Sequence, residues 1–113
     1  MRIQVKGRNG AVVDDSLRAH IEKKLDKVGR QVSSLAELEI ELSEERNPSI
    51  KESQVAEATL HLKGVTLRAC ERATDMGRAI NLVAEDLARQ VKRHRDKRRD
   101  RRSRPSHGIA PPG

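Results

Sequence analysis

The chain has 113 residues, and its 24 lysines and arginines exceed its 17 aspartates and glutamates, giving a formal net charge of +7. It contains no phenylalanine, tryptophan or tyrosine, so the core of the single domain expected at this length must be aliphatic. This composition also excludes recognition of unpaired bases by stacking on aromatic rings, so any nucleic acid would have to be bound through phosphate and backbone shape.

The first predicted elements are a strand and a helix. Residues 1–8 alternate Ile3 and Val5 with polar neighbours, which is the period of a strand with one buried face. A turn over residues 7–13 follows, and Asp14 is a suitable N-cap because its carboxylate can accept from the first free amides of a helix. The helix is predicted from an apolar stripe at helical spacing, formed by Leu17, Ile21, Leu25, Val28 and Val32.

The two flanks of this predicted helix differ in the sign of their charge. At about 100° per residue, Glu22 and Asp26 fall on one side of the apolar stripe. The other side is basic and carries His20, Lys23, Lys24, Lys27 and Arg30. A solvated helix more often mixes its charges, so we interpret the basic flank as part of a polyanion-binding surface, the alternative being a charged face without a partner.

Three more strands are predicted from alternating hydrophobicity. Residues 37–42 place leucine and isoleucine on one face and three glutamates on the other, and residues 43–53 form a loop containing an Asn-Pro pair. Residues 56–62 form the third strand. Lys63-Gly64 is a two-residue hairpin signal, and residues 65–70 form the fourth strand.

The last helix is predicted to begin after a cap at Thr74 and to bury an apolar stripe that ends at Val91. This stripe consists of Met76, Ile80, Val83, Ala84, Leu87 and Val91. Basic residues lie on the opposite side of the helix: Arg78, Arg89, Lys92 and Arg93. No apolar residue continues the stripe beyond Val91, so the following segment is predicted to project into solvent until Pro105 ends the helix.

Charge is concentrated in residues 89–104, which we call the cationic rod. Ten of these residues are basic and only Asp96 and Asp100 are acidic, so the rod carries +8 and the rest of the chain −1. The usual partner of such a run is a polyanion, most commonly dense phosphate. We divide the chain into a binding domain over residues 1–100 and a basic, Pro/Gly-containing flexible tail over residues 101–113.

The element order β-α-β-β-β-α predicts a two-layer α+β sandwich. Every strand has one apolar face, so both helices are expected to cover the same face of a four-stranded mixed sheet. The first helix would connect two parallel strands by a right-handed crossover. The polyanion is expected on the helical side, between the basic flank and the start of the cationic rod, because the glutamate-bearing sheet face would repel it.

The sequence also resembles a known family. The resemblance rests on Gly7-Arg8-Asn9 after the first strand, on the helix over residues 17–27, and most specifically on Thr74-Asp75-Met76 followed by the segments 79–81 and 87–93. It covers residues 1 to about 100. These features are similar to those of the ribosome hibernation promoting factor family, which includes the ribosome-associated inhibitor and was long labelled sigma-54 modulation protein.

The resemblance implies binding to the small ribosomal subunit in the channel of mRNA and tRNA, with both helices facing 16S rRNA. A protein of this kind competes with mRNA, tRNA and initiation factors and inhibits translation under stress or in stationary phase. The resemblance implies rRNA contacts by Lys24, Lys27, Arg30, Arg78, Arg89, Lys92, Arg93 and Lys97. It implies a cytoplasmic protein without a cofactor or membrane partner, and we expect it to be monomeric when free.

Two features depart from the family pattern. Gly77 stands where relatives usually carry an aromatic residue, which weakens the helix start by up to about 1 kcal/mol relative to alanine. Some relatives continue into a C-terminal domain that pairs ribosomes, whereas this chain ends in a Pro/Gly tail. We therefore expect a short form of the family, or the N-terminal domain of a long form.

The sequence leaves two other classes of function open. A non-specific nucleic-acid-binding protein, either DNA-associated or an RNA chaperone, would carry a similar basic segment. An enzyme has little support, because Cys70 has no identifiable base and the four histidines are scattered. The same scatter argues against a metal cluster, the single cysteine excludes an internal disulfide, and the lack of a signal or membrane-spanning segment favours the cytosol.

Overall fold

The computed structural model describes the backbone of residues 1–103 and the side chains of residues 1–97. Within this part, the elements are β1 (Arg2–Arg8), α1 (Asp15–Gly29), β2 (Glu37–Glu44), β3 (Gln54–Leu62), β4 (Val65–Ala73) and α2 (Met76–Ser103). The predicted element order is confirmed. Helix α2 continues past residue 100, where the sequence placed the end of the domain, and includes residues 101–103 of the predicted flexible tail, while residues 104–113, with Pro105, lie outside the described residues.

The strands form a mixed sheet in the order β1-β2-β3-β4. β1 pairs with β2 in parallel, and the other two pairings are antiparallel. A parallel pair needs a crossover connection, which α1 supplies. β3 and β4 are joined by the predicted hairpin turn, in which Gly64 has φ +80°, a left-handed conformation that glycine adopts without a steric penalty.

Both helices pack on one face of the sheet, as the pattern of apolar residues predicts. The buried core joins alternate residues of β2, β3 and β4 to the apolar stripes of α1 and α2. Its largest fully buried side chains are Ile21, Leu25, Leu38, Ile40, Leu42, Leu60, Ile80, Leu87, Val28 and Val83. Because no aromatic ring fills this core, the small side chains of Ala56, Ala58 and Ala79 let the two layers approach closely.

The two helices begin at aspartate caps. Asp14 caps α1 as predicted, its Oδ1 accepting from the amide of Leu17 at 2.8 Å. The predicted cap of α2 at Thr74 is wrong by one residue. Asp75 Oδ1 accepts from the amide of Arg78 at 3.0 Å, and the Asp75 carbonyl accepts from Ala79. Both residue types can cap, but a carboxylate also interacts favourably with the positive end of the helix dipole.

Candidate nucleic-acid interface

The candidate interface is formed by α1 and α2, which lie side by side on the sheet. His20 Nε2 lies 2.8 Å from Asn81 Oδ1, and Arg95 Nη1 donates to Gln31 Oε1 at 3.2 Å. Residue numbers rise together along the two helices, so the helices run in the same direction. The first contact joins the two helices directly, and the second joins α2 to the turn that follows α1, so the two contacts hold α2 beside α1 near both ends of α1.

A groove lies between these two contacts, and we call it the inter-helix groove. It has a volume of about 340 Å³ and is lined by Lys23, Lys24, Lys27, Asn81, Ala84, Glu85 and Ala88. The small alanines on α2 keep it open, while the three lysines give its α1 wall a charge of +3. Closely spaced ammonium groups beside an open groove are suited to binding successive phosphates.

The predicted contact residues of α1 are only partly brought together. Lys24 and Lys27 line the inter-helix groove, together with Lys23, which was assigned to the basic flank but not to the contacts. Arg30 instead forms an ion pair with Asp26, with 2.8 Å between Nη2 and Oδ2. The sequence placed these two residues on opposite flanks, yet positions four apart are adjacent on a helix surface, so the charge of Arg30 is partly neutralised.

The predicted contact residues of α2 are all exposed: Arg78, Arg89, Lys92, Arg93 and Lys97. At 100° per residue, the first three lie within about 60° of one another on the side of α2 that faces away from the sheet. Arg93 and Lys97 are rotated further, away from α1. Arg89 also lies 3.9 Å from Asp86, a long ion pair. We use the term helical face for the basic residues on the solvent side of both helices.

The opposite face of the sheet is not uniformly acidic. The strand register places two outward glutamates of β2, Glu37 and Glu41, beside the basic residues Arg2 and Lys6 of β1. Arg8 Nη1 donates to Glu41 Oε1 at 2.8 Å, and this hydrogen bond raises the pKa of the Arg8 guanidinium. His61 Nε2 lies 2.7 Å from Glu39 Oε2. The outer glutamates are therefore partly neutralised by their neighbours.

Three further features of the part of the chain that the structure describes concern metal binding, thiol chemistry and membrane insertion. No group of three or more His, Cys, Asp or Glu side chains is placed there to hold a metal ion. Cys70 is free and exposed, and desolvation raises the pKa of its thiol, which disfavours the nucleophilic thiolate. None of the helices found in those residues has the length and apolarity needed to cross a bilayer.

Fold and groove together define a small two-layer α+β domain that presents lysines and arginines on its helical layer. The chain belongs to the Sigma 54 modulation protein / S30EA ribosomal protein family, whose model matches residues 3–99. This confirms the family resemblance that the sequence motifs suggested.

Relatives in this family have names that refer to ribosome hibernation. The chain is 30% identical over 113 residues to the ribosome hibernation promoting factor of Azotobacter vinelandii, covering 98% of this chain and 100% of that protein. It is also 30% identical over 98 residues to the ribosome hibernation promotion factor of Picosynechococcus sp., covering 86% of this chain. In that comparison it spans 50% of the relative's length.

Solved structures share the fold. The N-terminal domain of Protein Y from Thermus thermophilus superposes with a TM-score of 0.70 at 28% identity, covering 83% of this chain and 99% of that domain. A ribosomal subunit interface protein from Coxiella burnetii gives a TM-score of 0.70 at 24% identity, covering 85% of this chain and 99% of that chain. The second likeness shows the fold alone.

Proposed function

We propose that this protein is a ribosome hibernation factor that binds the small ribosomal subunit and inhibits translation under stress or in stationary phase. The observation that carries the proposal is the inter-helix groove, in which Lys23, Lys24 and Lys27 form one wall beside the exposed basic residues of α2. Family membership and the names of the relatives support the choice of the ribosome as the polyanion.

The proposed mode of action is occupancy without chemistry. The helical face contacts 16S rRNA in the channel of mRNA and tRNA, so the bound protein excludes mRNA, tRNA and initiation factors from that channel. Residues 1–100 supply the binding domain. The protein acts in the cytoplasm as a monomer and uses neither a cofactor nor a catalytic group.

A competition experiment tests this proposal. Labelled protein is sedimented through sucrose gradients with purified small subunits, and then with added tRNA and initiation factors or with added duplex DNA at matched phosphate concentration. We expect co-sedimentation that tRNA and initiation factors displace and that duplex DNA reduces only weakly. Addition of the protein to a cell-free translation reaction should lower the yield of product in proportion to the fraction of subunits bound.

A non-specific nucleic-acid-binding protein is the second candidate. The observation that favours it is the rotation of Arg93 and Lys97 away from the inter-helix groove, which spreads positive charge around α2 as a general phosphate-binding helix would. Equal affinity for duplex DNA and small subunits, with no displacement by tRNA, would select this second function and refute the first.

A further inference from the structure

Glu85 is the acidic residue that lines the inter-helix groove. It is exposed on the α2 wall and lies among the same lining residues as Lys23, Lys24 and Lys27. Among the side chains of residues 1–97, Glu85 takes part in neither a hydrogen bond nor an ion pair in this structure. The carboxylate is therefore free to interact with whatever enters the groove.

A groove that held only phosphate would gain nothing from this carboxylate. Like charges a few ångströms apart repel, so Glu85 lowers the affinity for any polyanion by several-fold. The repulsion is offset only if the ligand also presents a hydrogen-bond donor to the carboxylate. In a nucleic acid the available donors are the amino and imino groups of the bases and, in RNA alone, the ribose 2′-hydroxyl.

The neighbouring residues favour such a contact. Ala84 and Ala88 flank Glu85 on the groove wall, and their small side chains leave room for the edge of a base or a ribose. Asn81, one turn earlier on α2, is the other polar residue of this wall, but its Oδ1 already lies 2.8 Å from His20 Nε2. On the α2 wall, the carboxylate oxygens of Glu85 are therefore the side-chain acceptors that have no hydrogen-bond partner among the side chains of residues 1–97.

Building on the proposed function, we infer that Glu85 is a specificity-determining residue of the RNA interface. It accepts a hydrogen bond from a ribose 2′-hydroxyl or a base amino or imino group, while the lysines of α1 bind the adjacent phosphates. In this arrangement the lysines supply affinity for any nucleic acid. Glu85 lowers the affinity for ligands without a correctly placed donor.

The test compares Glu85→Ala with the control Glu22→Ala. Both remove one carboxylate from an exposed helical position, but Glu22 lies on the flank of α1 that faces away from the inter-helix groove. The dissociation constants are measured for small subunits, for an RNA duplex and for a DNA duplex of the same sequence. Thermal unfolding followed by circular dichroism reports the stability of each variant.

For Glu85→Ala we expect the affinity for small subunits to fall about tenfold, through loss of a hydrogen bond to a charged group. The affinity for duplex DNA should rise about threefold as the repulsion is relieved. Glu22→Ala should change all affinities by less than about twofold. A weaker preference for the RNA over the DNA duplex would identify the 2′-hydroxyl as the donor, whereas a loss confined to small subunits would identify base donors.

Other results would overturn the inference. If Glu85→Ala raised all three affinities in parallel, the carboxylate would act by repulsion alone. If it lowered all three in proportion to a fall in the unfolding temperature, its role would be structural. If the wild-type protein bound DNA as tightly as small subunits, the proposed function would fail first and this inference with it. If the wild-type protein prefers small subunits to duplex DNA and Glu85→Ala leaves that preference unchanged, the proposed function stands and only this inference is refuted.

Discussion

The two faces of this domain carry similar kinds of charge but arrange them differently. On the open face of the sheet, Arg2 and Lys6 of β1 lie beside Glu37 and Glu41 of β2, and Arg8 Nη1 lies 2.8 Å from Glu41 Oε1. On the helical face, three lysines stand together along one groove and the arginines of α2 are exposed beside them. Arg30 and Arg89 of the helical face also have acidic partners, so the difference lies in the three lysines of the groove, which form no ion pair among the side chains of residues 1–97.

This comparison shows what makes a charged surface able to bind a polyanion. Charges that already have partners gain little from a new ligand, because binding would replace one ion pair with another. Neighbouring lysines repel one another. A bound phosphate backbone relieves this repulsion, and the counterions of the nucleic acid are released into solution. The helical face is therefore the surface on which a polyanion gains most.

The largest effect is expected from reversing charges on one face at a time. The variant Lys24→Glu, Lys27→Glu, Lys92→Glu should weaken small-subunit binding by at least about 100-fold, since it removes three phosphate contacts and adds three repulsions. A matched variant of the sheet face, Arg2→Glu, Lys6→Glu, Arg68→Glu, changes the net charge by the same amount at exposed positions. It should weaken binding by less than about tenfold, through long-range repulsion alone.

Circular dichroism at 222 nm should show both triple variants folded, because all six side chains are exposed. Equal losses of affinity in the two variants would mean that net charge, and not the helical face, governs binding. A larger loss in the sheet-face variant would reverse the assignment of the two faces.

A smaller effect, on the stability of the protein, is expected at the N-terminus of α2. Asp75→Ala should lower the free energy of unfolding by about 1 kcal/mol, because the carboxylate that accepts from the Arg78 amide is lost. Thr74→Ala should change the free energy of unfolding by less than about 0.5 kcal/mol, as is usual for surface substitutions. Urea unfolding followed by circular dichroism measures both. If Thr74→Ala lowered the free energy of unfolding more than Asp75→Ala does, Thr74 would be the N-cap of α2, as the sequence alone predicts.

That correction shows which parts of the structure could be predicted from the sequence. Strand and helix order followed from the period of the apolar residues, because burial of one face imposes that period. The N-cap of α2 could not be predicted in this way, because Thr74 and Asp75 are adjacent and both residue types can cap a helix. Likewise, the ion pair of Arg30 with Asp26 depends on side-chain conformation within one turn, which a division into flanks at 100° per residue does not resolve.

The position of the candidate site on the helical side could be predicted from the sequence, but its side-chain contacts could be predicted only within one helix. Lys24 and Lys27 were identified from the basic flank of α1. The partners across the groove were not, because His20 and Asn81 are 61 residues apart and the helix packing that joins them is set by the core. The same holds for the outer glutamates, whose neutralisation depends on the parallel register of β1 and β2.

A pH effect is expected where β4 meets α2, between the two faces. Desolvation, followed by the neighbouring carboxylate of Asp86, raises the pKa of Glu71 above its ordinary 4.5, and Arg89 opposes this shift. The folded state therefore binds this proton more tightly than the unfolded chain. Glu71 contributes stability below the ordinary pKa, and this contribution is lost as the pH rises from 4.5 through the raised pKa.

Glu71→Gln should remove this pH-dependent loss. The free energy of unfolding of the variant minus that of the wild type should rise as the pH increases from about 4 to about 8 and stay positive at neutral pH. Urea unfolding at several pH values measures the difference, in which the contributions of carboxylates that do not interact with Glu71 cancel. A difference that does not change with pH would show that Glu71 titrates alike in the folded and unfolded chain.

The smallest effect is expected at Gly77, where relatives usually carry an aromatic residue. Alanine would gain up to about 1 kcal/mol of helix propensity. An added Cβ would, however, lie 3.2 Å from Asp75 Oδ1 and displace the capping carboxylate. We expect the two effects to cancel within about 0.5 kcal/mol and small-subunit binding to be unchanged. In the Asp75→Ala background, Gly77→Ala should stabilise by its full propensity, which a double-mutant cycle would detect.

The salt dependence of binding tests most directly the claim that the helical face binds RNA phosphates. The logarithm of the association constant for small subunits should fall linearly with the logarithm of salt concentration, by about 0.7 to 0.9 for each phosphate engaged. In the helical-face triple variant the slope should be shallower by about two to three, while the sheet-face variant should keep the wild-type slope. An affinity that does not change between about 50 mM and about 200 mM salt would contradict the account.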